Sequence, residues 1–149
     1  MNRKGFTLTE LLAVIAIIGI ISLIAVPNIV NITDNVKRDN MLDDAKRFIS
    51  LAKLEVNSDY EIRSKQEEVF SIISLNKSGD FTMEIDNDDK KIVDVDGGFY
   101  DNGSYVKYFQ EDNTVKYCIY LKGSKRSIGS ANSCVNEEML TSKDIVHVN

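Results

Sequence analysis

One stretch limits what this chain can become. From Leu11 to Thr33 there is no charged residue, yet the residue just before that run is a carboxylate, Glu10. The run is long enough to cross a hydrocarbon core of about 30 Å, which takes about 20 helical residues. Carboxylates are scarce in membrane helices, because burying one without a partner costs several kcal/mol, to an order of magnitude. Glu10 therefore calls for a partner. Arg3 and Lys4 precede the run, and every carboxylate except Glu10 follows it. That asymmetry predicts a cytoplasmic N-terminal end and an exported remainder.

The segment is not an ordinary secretory signal. Such a signal has an apolar core of about 7–15 residues and a small-x-small cleavage site behind it. This core is longer, and no convincing site of that kind follows it. A plain anchor fits the length and leaves Glu10 unexplained. A third reading places the cut before the core, after Gly5, and keeps the apolar helix.

Arg3-Lys4-Gly5-Phe6-Thr7-Leu8-Thr9-Glu10, followed by two leucines, resembles the processing site of class III signal sequences. These belong to type IV pilins and to the pseudopilins of type II secretion and DNA uptake. The resemblance implies cleavage between Gly5 and Phe6 by a membrane-embedded prepilin peptidase. The same enzyme would then N-methylate the new terminal Phe6. It also implies that Gly19 and Pro27 soften the helix. Thr9 departs mildly from the family pattern, in which an aliphatic residue is common there. The motif covers residues 3–27.

The chemistry of Glu10 can be argued from charge alone. Cleavage would expose an ammonium at Phe6, at the edge of the bilayer. In a bundle of parallel helices, the carboxylate of one subunit meets the ammonium of the next. A 4 Å ion pair gives about 1 kcal/mol in water and several times that at lower effective dielectric. Left unpaired, the same carboxylate is costly. Glu10 would thus register a subunit in a growing filament. Within the helix, Pro27 removes a backbone donor and predicts a kink or local melting near Ser22–Pro27. Gly19 costs about 1 kcal/mol relative to Ala in a helix interior. The alternative reading is that Gly19 permits close helix approach and Pro27 is tolerated, as in many membrane helices.

Beyond Pro27 the pattern changes. Met41, Leu42, Ala45, Phe48, Ile49, Ala52 and Val56 recur at steps of three and four and share one helical face. The charged residues between them fall outside it. The expectation is one rod from Phe6 to about Val56, ~75 Å long at 1.5 Å per residue. It would end in Asn57-Ser-Asp, with a break allowed at Thr33–Asn35, where the residues favour caps. A Ser64-to-Glu67 capping box predicts a second helix over Lys65–Leu75. Strands are expected over 81–85, 91–95, 104–110 and 115–122, with a final edge strand over 144–148. Asp101-Asn-Gly103 reads as a tight turn. In the fourth of these strands Val115, Tyr117, Ile119 and Leu121 would face the helix. An antiparallel sheet laid across an amphipathic helix is an α+β architecture, and the resemblance implies the same for a pilin head. The domain expectation is a leader over 1–5, a membrane and filament-core helix over 6–32, and a head over 33–149.

Cys118 and Cys134 lie in the exported part, where an oxidising compartment allows pairing. Two free thiols are the alternative. By resemblance to pilins, which commonly close a C-terminal loop in this way, a disulfide is expected. It would contribute about 3 kcal/mol for a loop of this length. Asp86–Asp89 and Asp94–Asp101 faintly resemble calcium loops, but Lys90 and Lys91 interrupt the first and the second lacks the closing Glu. Both read as solvated turns. Lys122-Gly-Ser-Lys-Arg126 reads as an exposed basic turn rather than a DNA or polysaccharide contact. The single His147 is a strand residue, and the aromatics from Phe99 to Tyr120 read as core and sheet packing. No nucleophile–base pair, metal cluster or phosphate loop is legible. The expected role is therefore not enzymatic, and no cofactor or metal is called for.

The leading expectation is a prepilin, the structural subunit of a type IV pilus-type filament. It would sit in the cytoplasmic or inner membrane as a single pass, N-terminus in, and then at the cell surface as a filament. Its expected partners are its own copies and other pilins, the prepilin peptidase and N-methyltransferase, and a membrane assembly platform with an ATPase. The net charge of −5 does not suit a nucleic-acid coat, so DNA would enter only as the cargo of an uptake filament. The alternatives are a pseudopilin of a type II secretion or competence machine, and an uncleaved, signal-anchored surface binding protein.

Overall fold

The computed structural model of the protein describes residues 7–148, without the side chains of 26–28. The first element, helix α1, runs uninterrupted over Leu8–Ser58. It passes through Thr33–Asn35 without the break allowed for there. The Thr33 hydroxyl turns back onto the Ile29 carbonyl at 2.8 Å, an i−4 bond that lets a poor helix former sit inside a helix. The Ser22 hydroxyl does the same to Ile18, also at 2.8 Å. Local melting near Ser22–Pro27 is not seen, and residues 22–27 are helical. The chain divides into two compact units, the first of which ends at Val36.

In the unit up to Val36, every large apolar side chain from Leu8 to Ile24 is at least 44 % exposed. The unit from Lys37 on has a core. Met41, Ala45, Phe48, Ile49, Ala52 and Val56 of α1 are all buried, and Leu42 is packed against them. Each fully buried large side chain of this kind contributes about 1.5–3 kcal/mol. The 3.6-residue period thus puts one face of α1 into the core as expected. Phe48 stacks on Phe81 at 4.0 Å between ring centroids and meets Tyr100 edge-on at 6.2 Å.

The second helix expected over Lys65–Leu75 is absent. In its place stand a short helix α2 (Tyr60–Ser64), a strand β1 (Glu67–Ser71) and one turn of helix α3 (Ile72–Leu75). Ser64 and Glu67 form no capping box. The Ser64 hydroxyl closes α2 on Glu61, and Asp59 caps α2 at its start. Over residues 67–71 the burial alternates, with Phe70 in and Val69 out, which is the strand period. The cap of α3 is Ser71, whose hydroxyl oxygen accepts from Ser74 N at 3.1 Å.

The remaining strands are β2 (Met83–Asp86), β3 (Asp89–Ile92), β4 (Tyr105–Glu111), β5 (Thr114–Lys122), β6 (Arg126–Ile128), β7 (Val135–Asn136) and β8 (Ile145–His147). β2 and β3 form their own two-stranded hairpin. Its turn residues Asn87 and Asp88 have φ of 51° and 68°, the left-handed pair of a tight hairpin that Asn and Asp tolerate. Asp112 and Asn113 turn β4 into β5 in the same way, with φ of 51° and 61°. The main antiparallel sheet has the order β1-β4-β5-β6-β8, with β7 also paired to β5. Tyr117, Ile119 and Leu121 of β5 are buried in the core, while Val115 at the strand's start is exposed. The architecture is α+β: a long N-terminal helix followed by an antiparallel sheet.

Candidate functional site

Glu10 opens α1 and is held by its own chain. Its Oε2 accepts from Thr7 N and from Thr7 Oγ1, both at 2.8 Å. Glu10 N in turn lies 3.3 Å from Thr7 Oγ1. This is a reciprocal capping box, which satisfies donors that a helix start leaves open. Thr7-Leu-Thr-Glu10 is the sequence signature of that box, and sequence reasoning passed over Thr7 because Glu10 was read only for an external partner. The carboxylate therefore has two donors before any neighbour arrives. Gly5 and Phe6, the residues of the expected cut and methylation, lie outside the described residues. Pro27 is helical in backbone, and its side chain is likewise outside the description. Gly19 faces open space: a Cβ built there meets nothing within 4 Å.

The helix carrying Glu10 is long and apolar enough to cross a membrane, and none of its most apolar stretch is buried. An exposed apolar surface of this extent, on a folded chain, marks a surface that something else covers. With Glu10 at its start, the surface from Leu8 to Ile24 offers one charged group; its other side chains are apolar apart from Thr9 and Ser22, and Ser22 bonds its own backbone.

The head carries a second polar constellation, which sequence reasoning misread. Asp94 is buried rather than in a solvated turn. Its Oδ1 accepts from Asp96 N at 2.8 Å and Gly98 N at 2.9 Å, and its Oδ2 accepts from Ser124 N. Burial pushes the Asp94 carboxyl up, but the bonds from Ser124, Asp96 and Gly98 outweigh it and hold the group below the usual carboxylate range. Asp96 is clamped by both Arg126, through Nη1 to both carboxylate oxygens, and Lys37, at 3.0 Å. Arg126 is thus buried in β6 and not part of an exposed basic turn. Arg38 Nη1 donates to the Ile145 carbonyl of β8 at 2.7 Å. Tyr100 donates its hydroxyl to Asp44 Oδ2 at 2.7 Å. Burial pushes Asp44 up despite that bond, and raises the Tyr100 phenol as well. Asn87–Asp89 and Asp101–Gly103 stay exposed, as do Ser124 and Lys125 of the basic segment. Among the described residues no group of three or more His, Cys, Asp or Glu is placed to hold a metal ion.

Cys118 and Cys134 are joined, with Cα atoms 5.4 Å apart. The bond ties β5 to the segment entering β7, on the sheet face opposite α1, where Cys118 is 2 % exposed. His147 ends the edge strand β8. Of the aromatics from Phe99 to Tyr120, Tyr100, Tyr108, Tyr117 and Tyr120 are buried.

Residues 1–26 match the family described as the prokaryotic N-terminal methylation motif. The match covers the segment whose residues resemble the class III signal sequences of type IV pilins and pseudopilins, and it supports that reading. Comparison with curated proteins and with solved structures gives no significant match.

Proposed function

We propose that this chain is a prepilin, the structural subunit of a type IV pilus-type filament. Residues 1–5 are its leader, 6–32 its membrane and filament-core helix, and 33–149 its head. It enters the membrane N-end in, is cut after Gly5 and is methylated at Phe6. It is the substrate of the prepilin peptidase, and its own work is to polymerise. The observation that carries the reading is a conjunction: a class III motif opens a helix whose apolar side chains stay exposed while the head has its own core. Lipid covers that surface before assembly, and the helices of neighbouring subunits cover it afterwards. Other pilins and an ATPase-driven platform are the partners this route requires.

In this account Glu10 acts at the hand-over. Thr7 stays next to the new terminus after the cut, so the Thr7–Glu10 box survives processing. The two donors of Thr7 lower the cost of a carboxylate at the edge of the bilayer. They leave its charge uncompensated, and the Phe6 ammonium of a neighbour supplies that compensation. Glu10→Val tests the step: the variant is expected to be exported and processed, with loss of filaments from sheared surface fractions. Wild-type filament yield from Glu10→Val would refute the role. Abundance of the wild-type chain in those fractions separates a major pilin from a pseudopilin.

A further inference from the structure

We infer that the recess between the loop at Phe99–Asn102 and the end of β5 is a binding site for a neutral sugar chain. The recess has a volume of about 480 Å³ and is walled by Lys91, Phe99, Asp101, Asn102, Lys122 and Ser124. That is within the range of small-ligand sites, about 300–1,000 Å³.

Its walls are fixed. The Asp94 carboxylate ties Gly98, which precedes Phe99, to Ser124 on the opposite side. Phe99 is bridged to Val93, and Tyr100 N donates to Ile92 O at 2.9 Å. Asp101 N donates to Lys122 O at 2.7 Å, joining the two walls directly. The approach is so close that a Cβ at Gly98 would lie 2.6 Å from Ser124 Cβ, and one at Gly123 would lie 2.9 Å from Asp94 Oδ2. Neither wall needs to reorganise on binding, which removes part of the entropic cost of association.

The charge on those walls selects the ligand. Lys91 is paired to Asp86 at 2.5 Å, and Lys122 Nζ stands 3.8 Å from Asp101 Oδ2. Arg126, which follows Lys122 in the same basic segment, is held by Asp96 and does not line the recess. A polyphosphate needs surplus positive charge, and here each lysine on the wall already has a carboxylate. What remains is a mixture of donors and acceptors around an aromatic ring. The ammonium groups and the Asn102 amide donate; Asp101, the Asn102 carbonyl and the oxygen of the Ser124 hydroxyl, whose proton goes to Asp94, accept. Half-buried Phe99 supplies an apolar edge, with Lys91 Nζ over its ring at 5.8 Å from the centroid. Sugar hydroxyls need both kinds of polar partner, and the C–H face of a pyranose packs on an aromatic ring. Every residue of the site lies in the head, so it stands independently of the filament reading.

The test is saturation-transfer NMR on the mature full-length chain in deuterated detergent, with maltotriose and chitotriose as probes and an oligothymidylate as the anionic comparison. Transfer to at least one trisaccharide is expected. Phe99→Ala and Asn102→Ala should each weaken that binding about tenfold, the factor that ~1.4 kcal/mol of lost contact gives. Asn102 is exposed, so its variant decides the matter if Phe99→Ala does not fold. Absence of transfer to both sugars would overturn the assignment. So would undiminished transfer in Asn102→Ala, or preferential binding of the oligothymidylate.

Discussion

Removing Asp96 should unfold the head more readily than removing any surface carboxylate. The Asp96 side chain is 2 % exposed and Arg126 is 5 % exposed. Asp96→Ala takes the carboxylate from a guanidinium that stays buried, and breaking a buried pair from one side costs about 3–5 kcal/mol. Lys37, the other cation on Asp96, is 32 % exposed and can turn to water, so its loss adds little. At about 4 °C per kcal/mol for a domain of this size, the melting temperature should fall by about 12–20 °C. The assay is near-UV circular dichroism of the mature chain in mild detergent. Replacing both members, Asp96→Leu with Arg126→Met, should recover at least half of the loss, because the desolvation cost goes with the charges. Acid adds a sign. Burial raises the Asp96 carboxyl, but the bonds from Arg126 and Lys37 outweigh it and hold the group low. The folded pKa is thus below the unfolded value of about 3.9. The pair's stabilisation is present above that pH and is lost as pH falls through the folded value. The gap between wild type and Asp96→Ala should therefore narrow in acid. A loss under about 1 kcal/mol at neutral pH would refute the reasoning, since the guanidinium would then be finding water or another partner.

Two further outcomes follow from the head. The double substitution Cys118→Ala with Cys134→Ala should cost about 3 kcal/mol in the absence of reductant, read as a fall in melting temperature; a fall no larger than that of an exposed serine substitution would contradict it. Tyr100→Phe should cost about 1–3 kcal/mol at neutral pH by leaving the half-buried Asp44 carboxylate without its donor. Burial already raises the folded pKa of Asp44 above the unfolded one, and the substitution raises it further. The penalty should be small in acid, where Asp44 is protonated in both states, and should grow as pH rises through its folded pKa; a penalty independent of pH, by denaturant titration at about pH 2.5 and pH 7.5, would contradict that.

What could be read from the chain follows how local each signal is. The face from Met41 to Val56 was legible because a 3.6-residue period needs no knowledge of the partner. Strands β4 and β5 were legible because each alternates over a full strand length and a short polar turn joins them. Residues 67–71 misled because Ser64 and Glu67 have capping-box spacing, whereas the strand period holds only over Val69 and Phe70. Its pairing to β4 is set about 40 residues away in sequence, Glu67 opposite Phe109 and Ser71 opposite Tyr105. Tertiary pairing outweighed local propensity there. Asp94, Asp96 and Arg126 misled for a related reason. Acidic and basic residues beside glycines look like solvated turns until the fold brings residue 96 against residue 126. At the other end, Thr7 was legible in principle, since the box lies within four residues.

If the apolar helix is kept and its leader removed, the mass of the N-terminal peptide of the surface protein reads out both events. Surface protein should yield a peptide that begins at Phe6 and carries one added methyl group. A peptide that retains Arg3 and Lys4, or a chain that begins beyond Pro27, would contradict the account.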